Sequence, residues 1–244
     1  MKRLTALAAA AVLTACGGGG SDGTSTTTPT PVAVTAEGFW SGTASTGPQV
    51  QLAILENGET WGFYTSKGSL LGAIYGNTNS SGTSVSGSGF DFYNSTVQPG
   101  TYTGSFSPKS TLNLALTSGT SSSTFAGKYS AAYDQPALLA NLAGTYSGYG
   151  ISGKTAASFI PVTISSTGNI TAGNSSCSVS GAATPRASGK NIFNIRVTVA
   201  GNFCALSNGS VINGIAYYDT NSREVVIMAL NSSKTDGFIY AGVR

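Results

Sequence analysis

The chain has 244 residues, 9% of them charged, with 33 glycines, no histidine and a formal net charge of +3. Ordinary soluble domains are about a quarter charged, and disordered chains combine high net charge with little hydrophobicity, so a 40% hydrophobic chain of this kind is neither. Without histidine there is no imidazole acid–base catalysis, no Ser-His or Cys-His dyad and no histidine metal site, and scattered Lys and Arg leave no footprint for nucleic acid.

Lys2 and Arg3 precede an alanine-rich apolar run over residues 4–14. The run is shorter than the ~20 residues a membrane-spanning helix needs, and its layout is that of a secretory signal peptide, predicted over residues 1–15. Leu13-Thr14-Ala15-Cys16 closes the run. In this ending the chain resembles the bacterial lipoprotein signal family. The resemblance implies cleavage before Cys16, lipidation of its sulfur and acylation of its nitrogen. Several acyl chains anchor firmly where a single chain is marginal. Gly17 stands where an Asp commonly marks inner-membrane retention in that family, so the resemblance implies a lipid anchor in the outer membrane of a Gram-negative cell. Removing Lys2 and Arg3 from the twelve basic residues leaves ten against nine acids, a nearly neutral mature chain.

Residues 16–36 carry Cys16 into a Gly-, Thr- and Pro-rich stretch with no apolar period. It reads as a flexible tether with a root-mean-square span of roughly 25 Å. Gly19-Gly20-Ser21-Asp22-Gly23 matches the G-x-S-x-G elbow in letters, but a glycine run and a threonine run replace the strand and helix that elbow requires.

The first β module is predicted over residues 37–133. It opens with Gly38-Phe39-Trp40-Ser41-Gly42, followed by an aliphatic strand over residues 50–55 and the hairpin signal Asn57-Gly58. Glu56 and Glu59 are the closest carboxylate pair, the kind that hydrolyses glycosides, yet they flank that turn and are expected in water. Trp40, Trp61, Tyr64 and Tyr75 are candidates for a ligand platform, with Phe63 beside them; core burial is the default for aromatics in small β domains, and an exposed patch would reverse it. Asp91, set among Phe90, Phe92 and Tyr93, is either a desolvated acid with a raised pKa or an outward position on a strand. Leu112, Leu114 and Leu116 alternate as a strand does.

Residues 134–143 form the predicted linker. Within it Asp134 to Leu142 is the only helical candidate of the mature chain, with Pro136 suited to a first turn. The second module, over residues 144–244, opens in the same manner with Gly144-Thr145-Tyr146-Ser147-Gly148, an aliphatic strand and a Gly168-Asn169 turn. Its tyrosines Tyr146, Tyr149, Tyr217, Tyr218 and Tyr240 pose the same choice between core and platform. Cys177 and Cys204 form an even pair in an exported chain, which points to a disulfide; a reactive thiol or a metal site is the alternative, and two Cys without His make a poor metal site. Phe193, Ile195, Val197 and Val199 alternate with polar residues, whereas residues 225–230 are continuously apolar and suit a strand buried on both faces. Residues 219–223 separate that strand from the apolar run before it, predicting a hairpin. Asp219, Asn221 and Glu224 lack the spacing of a calcium loop.

The order Tyr133-Asp134-Gln135-Pro136, Gly144-Thr145-Tyr146-Ser147-Gly148, Cys177, Cys204, Gly214-Ile215-Ala216-Tyr217, Met228-Ala229-Leu230-Asn231 and Gly237-Phe238-Ile239-Tyr240-Ala241-Gly242 resembles a group of proteobacterial outer-membrane lipoproteins with two β-rich modules and no assigned activity. That resemblance implies a compact β fold at the envelope and carries over no catalytic residue. In architecture the chain is similar to the transferrin-binding and factor-H-binding surface lipoproteins, and Gly38-Phe39-Trp40 meets the G-x-W opening of lipocalin strands, without a binding motif of any of them.

The expected fold is therefore all-β: two consecutive small antiparallel meander barrels or sandwiches with one short linking helix. The expected function is binding, by a lipid-anchored outer-membrane lipoprotein that is not an enzyme, uses no cofactor or metal, and meets a protein or glycan partner. A periplasm-facing assembly accessory and a carboxylate-dependent hydrolase are the competing readings.

Overall fold

The structure, a computed structural model, describes residues 34–152 and 157–244. The predicted signal peptide, Cys16 and nearly all of the predicted tether lie outside the described residues.

Two closed eight-stranded barrels follow one another along the chain. The first comprises β1 (Gly38–Ala44), β2 (Gln49–Ile54), β3 (Glu59–Ser66), β4 (Ser69–Ser81), β5 (Ser84–Tyr93), β6 (Thr96–Ser107), β7 (Thr111–Ser118) and β8 (Ser121–Ser130). The second comprises β9 (Gly144–Ser152), β10 (Ser158–Ile164), β11 (Asn169–Gly173), β12 (Ser178–Pro185), β13 (Phe193–Ala200), β14 (Val211–Asp219), β15 (Glu224–Leu230) and β16 (Gly237–Val243). Sequential strands pair antiparallel, and each barrel closes by pairing its first strand with its last. Closure removes the sheet edges that would otherwise invite pairing with other chains.

At eight strands a barrel interior is just wide enough for side chains to fill it, and both lumens are filled. In the first, Trp40, Leu52, Tyr102, Phe106, Leu112 and Phe125 meet at the centre. Tyrosine rings there lie across glycine backbone: a Cβ on Gly87 would stand 2.3 Å from Cζ of Tyr102, and one on Gly72 2.5 Å from the Tyr64 hydroxyl. The glycine-rich composition thus makes room for large rings in a narrow barrel. The second lumen holds Tyr146, Ile164, Phe193, Ile195, Ile212 and Tyr240.

The Asn57-Gly58 signal becomes the β2–β3 turn. Gly58 takes φ +83°, and a Cβ there would stand 2.3 Å from the Thr78 carbonyl oxygen, so both backbone conformation and space require glycine. Ala36, at the end of the predicted tether, is fully buried, and its N–H donates to Ser80 Oγ at 3.0 Å. The short linking helix is the α-turn Leu139–Leu142, and a 3-10 turn at Ala131–Asp134 precedes it. Gln135, with ψ 148°, separates them, because the residue before a proline is driven out of the helical region.

A layer of buried apolar side chains unites the barrels. From the first, Phe39, Ala53, Trp61, Phe63 and Phe92 point outward; from the second, Ile215, Tyr217, Val226, Met228 and Ile239 meet them. This explains the unbroken apolar run of β15: Val225, Ile227 and Ala229 fill the lumen, while Val226, Met228 and Leu230 face the first barrel. Polar clamps flank the layer. Arg186 Nε donates to Glu56 Oε1 at 2.8 Å, the Tyr217 hydroxyl to Gln51 Oε1 at 3.2 Å, and Lys190 Nζ to Asp134 Oδ1 at 2.8 Å. Buried Asn191 donates through Nδ2 to the carbonyls of Ala132 and Tyr218 at 3.1 and 2.8 Å.

Candidate functional site

With both lumens filled, concave space lies outside them. A cleft of about 350 Å³ opens between the barrels. One wall is the outer face of β3–β5, with Trp61, Leu70, Ala73, Tyr75 and Phe92; the other is β9, β15 and β16, with Ile151, Met228, Leu230 and Ile239. These positions are outward because side chains alternate along a strand and their neighbours fill the lumens. The β5–β6 turn, Asn94-Ser95, contributes to the lining. Both residues have positive φ, 47° and 62°, as a two-residue type I′ hairpin requires. Positive φ is uncommon for Ser, so the tight hairpin places a mildly strained residue beside the cleft.

Aromatic rings build one corner of the cleft. Trp61 and Tyr75 pack edge to face with ring centres 4.7 Å apart. Lys234 Nζ, from the β15–β16 loop, stands 4.6 Å from the centre of Tyr75 and 5.7 Å from that of Trp61, within cation–π range. The Tyr75 hydroxyl donates to Glu59 Oε1 at 3.3 Å, and its pKa is pushed up to about 12, first by burial and then by the Glu59 charge. Trp61 Nε1 is a buried donor with no hydrogen-bond acceptor among the described residues. A second, shallower groove crosses the outside of β4–β7 and shares Tyr75 and Glu59 with this corner.

The four candidate platform aromatics do not form one surface. Trp40 is 1% exposed inside the first lumen, where Nε1 donates to the Ala36 carbonyl at 2.9 Å. Tyr64 also belongs to that interior and donates to Asp91 Oδ1 at 2.8 Å. Trp61 and Tyr75 come together in the cleft. In the second barrel Tyr146, Tyr217, Tyr218 and Tyr240 are buried, while Tyr149, 57% exposed, stands edge to face with Phe159 at 5.9 Å on the outer surface.

The remaining sequence candidates fall as follows. Glu56 is engaged by Arg186 and Glu59 by Tyr75, so the two acids of the β2–β3 turn serve different partners. Asp91 is a desolvated acid: burial raises its pKa, and the Tyr64 hydroxyl offsets part of that rise. Asp219 Oδ1 accepts the Asn221 N–H at 2.8 Å as a turn residue. Among the described residues no group of three or more His, Cys, Asp or Glu could hold a metal ion. Cys177 and Cys204 form a disulfide with Cα atoms 5.0 Å apart. Sequence reasoning did not identify Lys234, Ile151, Met228 or Ile239 as site residues; the one available signal was the apolar excess of β15, which announces a second buried face without naming what covers it.

No protein-family model and no curated protein sequence matches the chain. Among solved structures, the crystal structure of a protein of unknown function from the DUF3598 family of Nostoc punctiforme matches at 9% identity and a TM-score of 0.28, over 86% of this chain and 96% of that one. A likeness that loose carries no argument about this chain.

Proposed function

We propose that this chain is a lipid-anchored outer-membrane lipoprotein that acts by binding, with the inter-barrel cleft as its ligand site. The observation that carries the reading is the cleft itself. It is a concavity outside the packed lumens, and its walls are largely apolar with a few polar groups at one corner, the usual make-up of a small-molecule site. The Leu13-Thr14-Ala15-Cys16 ending supports the anchor. The engaged states of Glu56 and Glu59 weigh against the hydrolase reading.

Cell fractionation tests the anchor. Wild-type chain is expected in the membrane fraction and Cys16→Ala in the soluble fraction; soluble, unprocessed wild type overturns it. Substituting Ala73, on the cleft wall, with Phe is expected to leave that partition unchanged while abolishing thermal stabilisation by small-molecule extracts of the cell. Extracts that stabilise both forms equally would remove the cleft from the reading.

A further inference from the structure

Among the described residues, Lys234, which rests on two rings of the cleft wall, is the group whose chemistry selects a class of ligand. Its ammonium makes no ion pair or hydrogen bond with the described residues and rests only on the Trp61 and Tyr75 rings. Compare Lys109 and Lys190, which both hold Asp134 at 2.8 Å, and Arg186, which holds Glu56. Glu59, the acid that meets Tyr75, already accepts the Tyr75 hydroxyl. A cation fixed over two rings, beside an apolar slot, is complementary to an anionic head joined to an apolar body.

Resting on the reading of the cleft as a ligand site, we propose that it takes a small single-chain amphiphile with an anionic head, carboxylate or phosphate. The apolar body lies between Ala73 and Phe92 on one wall and Met228 and Ile239 on the other, and the head lies at Lys234. Size limits the body. A cavity of about 150 Å³ encloses benzene, so about 350 Å³ admits roughly a dozen apolar non-hydrogen atoms, near the length of a ten-carbon chain and well short of a phospholipid with two long tails.

The test is titration of the full-length Cys16→Ala chain with decanoate, decyl phosphate, decanol and decyltrimethylammonium, followed by calorimetry and tryptophan emission, which Trp61 reports. Both anions are expected to bind more tightly than the alcohol, and the cation least. Lys234→Met should weaken the anions by about tenfold or more and leave decanol unchanged, while Lys234→Arg retains anion binding. The ratio of decanoate to decyl phosphate affinity tells which head the corner prefers. Ala73→Phe should remove all binding, with Leu70→Phe replacing it if the melting curve shows Ala73→Phe unfolded. If decanol or the cation binds as tightly as the anions, or Lys234→Met changes nothing, the anionic-ligand proposal is overturned while the cleft remains a site. If no probe binds, or the filled variants bind as wild type does, both fall.

Discussion

Two carboxylates show how the same residue type is set to opposite purposes by its surroundings. Asp134 loses solvation by partial burial, which alone would raise its pKa, but Lys109, Lys190 and the Tyr129 hydroxyl all donate to it and hold it down to about 2. A carboxyl depressed in the folded state contributes stability above its unfolded pKa, near 4, and loses it as pH falls toward 2. Asp134→Asn is expected to cost about 1–2 kcal/mol at pH 7, allowing for solvent screening, with the deficit shrinking as acid unfolding is approached. Asp91 has the reverse sign. Its pKa is raised by burial, so ionisation opposes folding as pH climbs from about 4 through the raised value. Asp91→Asn should therefore melt higher than wild type at pH 7 and equal to it below about pH 4. Melting temperatures of both variants across pH 2–8 decide the matter; parallel curves contradict it. Asp91 was legible in the sequence as an acid among aromatics. The cluster around Asp134 was not, because Lys109 and Lys190 reach it from remote loops and no local pattern encodes that meeting.

At the scale of the element, β15 separates two kinds of burial along one strand. Ile227 faces a lumen and Met228 the other barrel, each 2% exposed. Truncating a buried residue of this size removes its transfer energy and leaves a cavity, at about 2–5 kcal/mol. Met228→Ala should cost nearly as much as Ile227→Ala, whereas Val243→Ala, at a half-exposed position, should stay within about 0.5 kcal/mol. Denaturant titration measures all three. A Met228→Ala chain as stable as wild type would mean that the contact between barrels contributes little. The alternation of β13 and the hairpin of β14 with β15 were readable from period and turn chemistry, because both are set by neighbours in sequence. The linking helix was readable too, but it begins at Leu139 rather than with Pro136 in its first turn, because Pro136 holds Gln135 in an extended geometry.

For the whole molecule, the duplicated Gly-aromatic openings at Gly38 and Gly144 announced two modules, and short-range pairing announced meanders. The choice between barrel and sandwich stayed open, and the apolar layer between barrels was out of reach, since Phe39, Phe63 and Ile239 read equally well as core of their own modules. The cleft inherits that illegibility: its two walls lie more than fifty residues apart in the chain, and only the packing of one barrel on the other creates it. In the proposed reading, binding belongs to the pair of barrels, whose lumens are filled by their own side chains. Native mass spectrometry of the full-length Cys16→Ala chain, purified without detergent from its own cells beside Ala73→Phe in the same background, measures this most directly. The account predicts that the first chain carries a small-molecule adduct that the second lacks. The same adduct on both chains, or none on either, would contradict it.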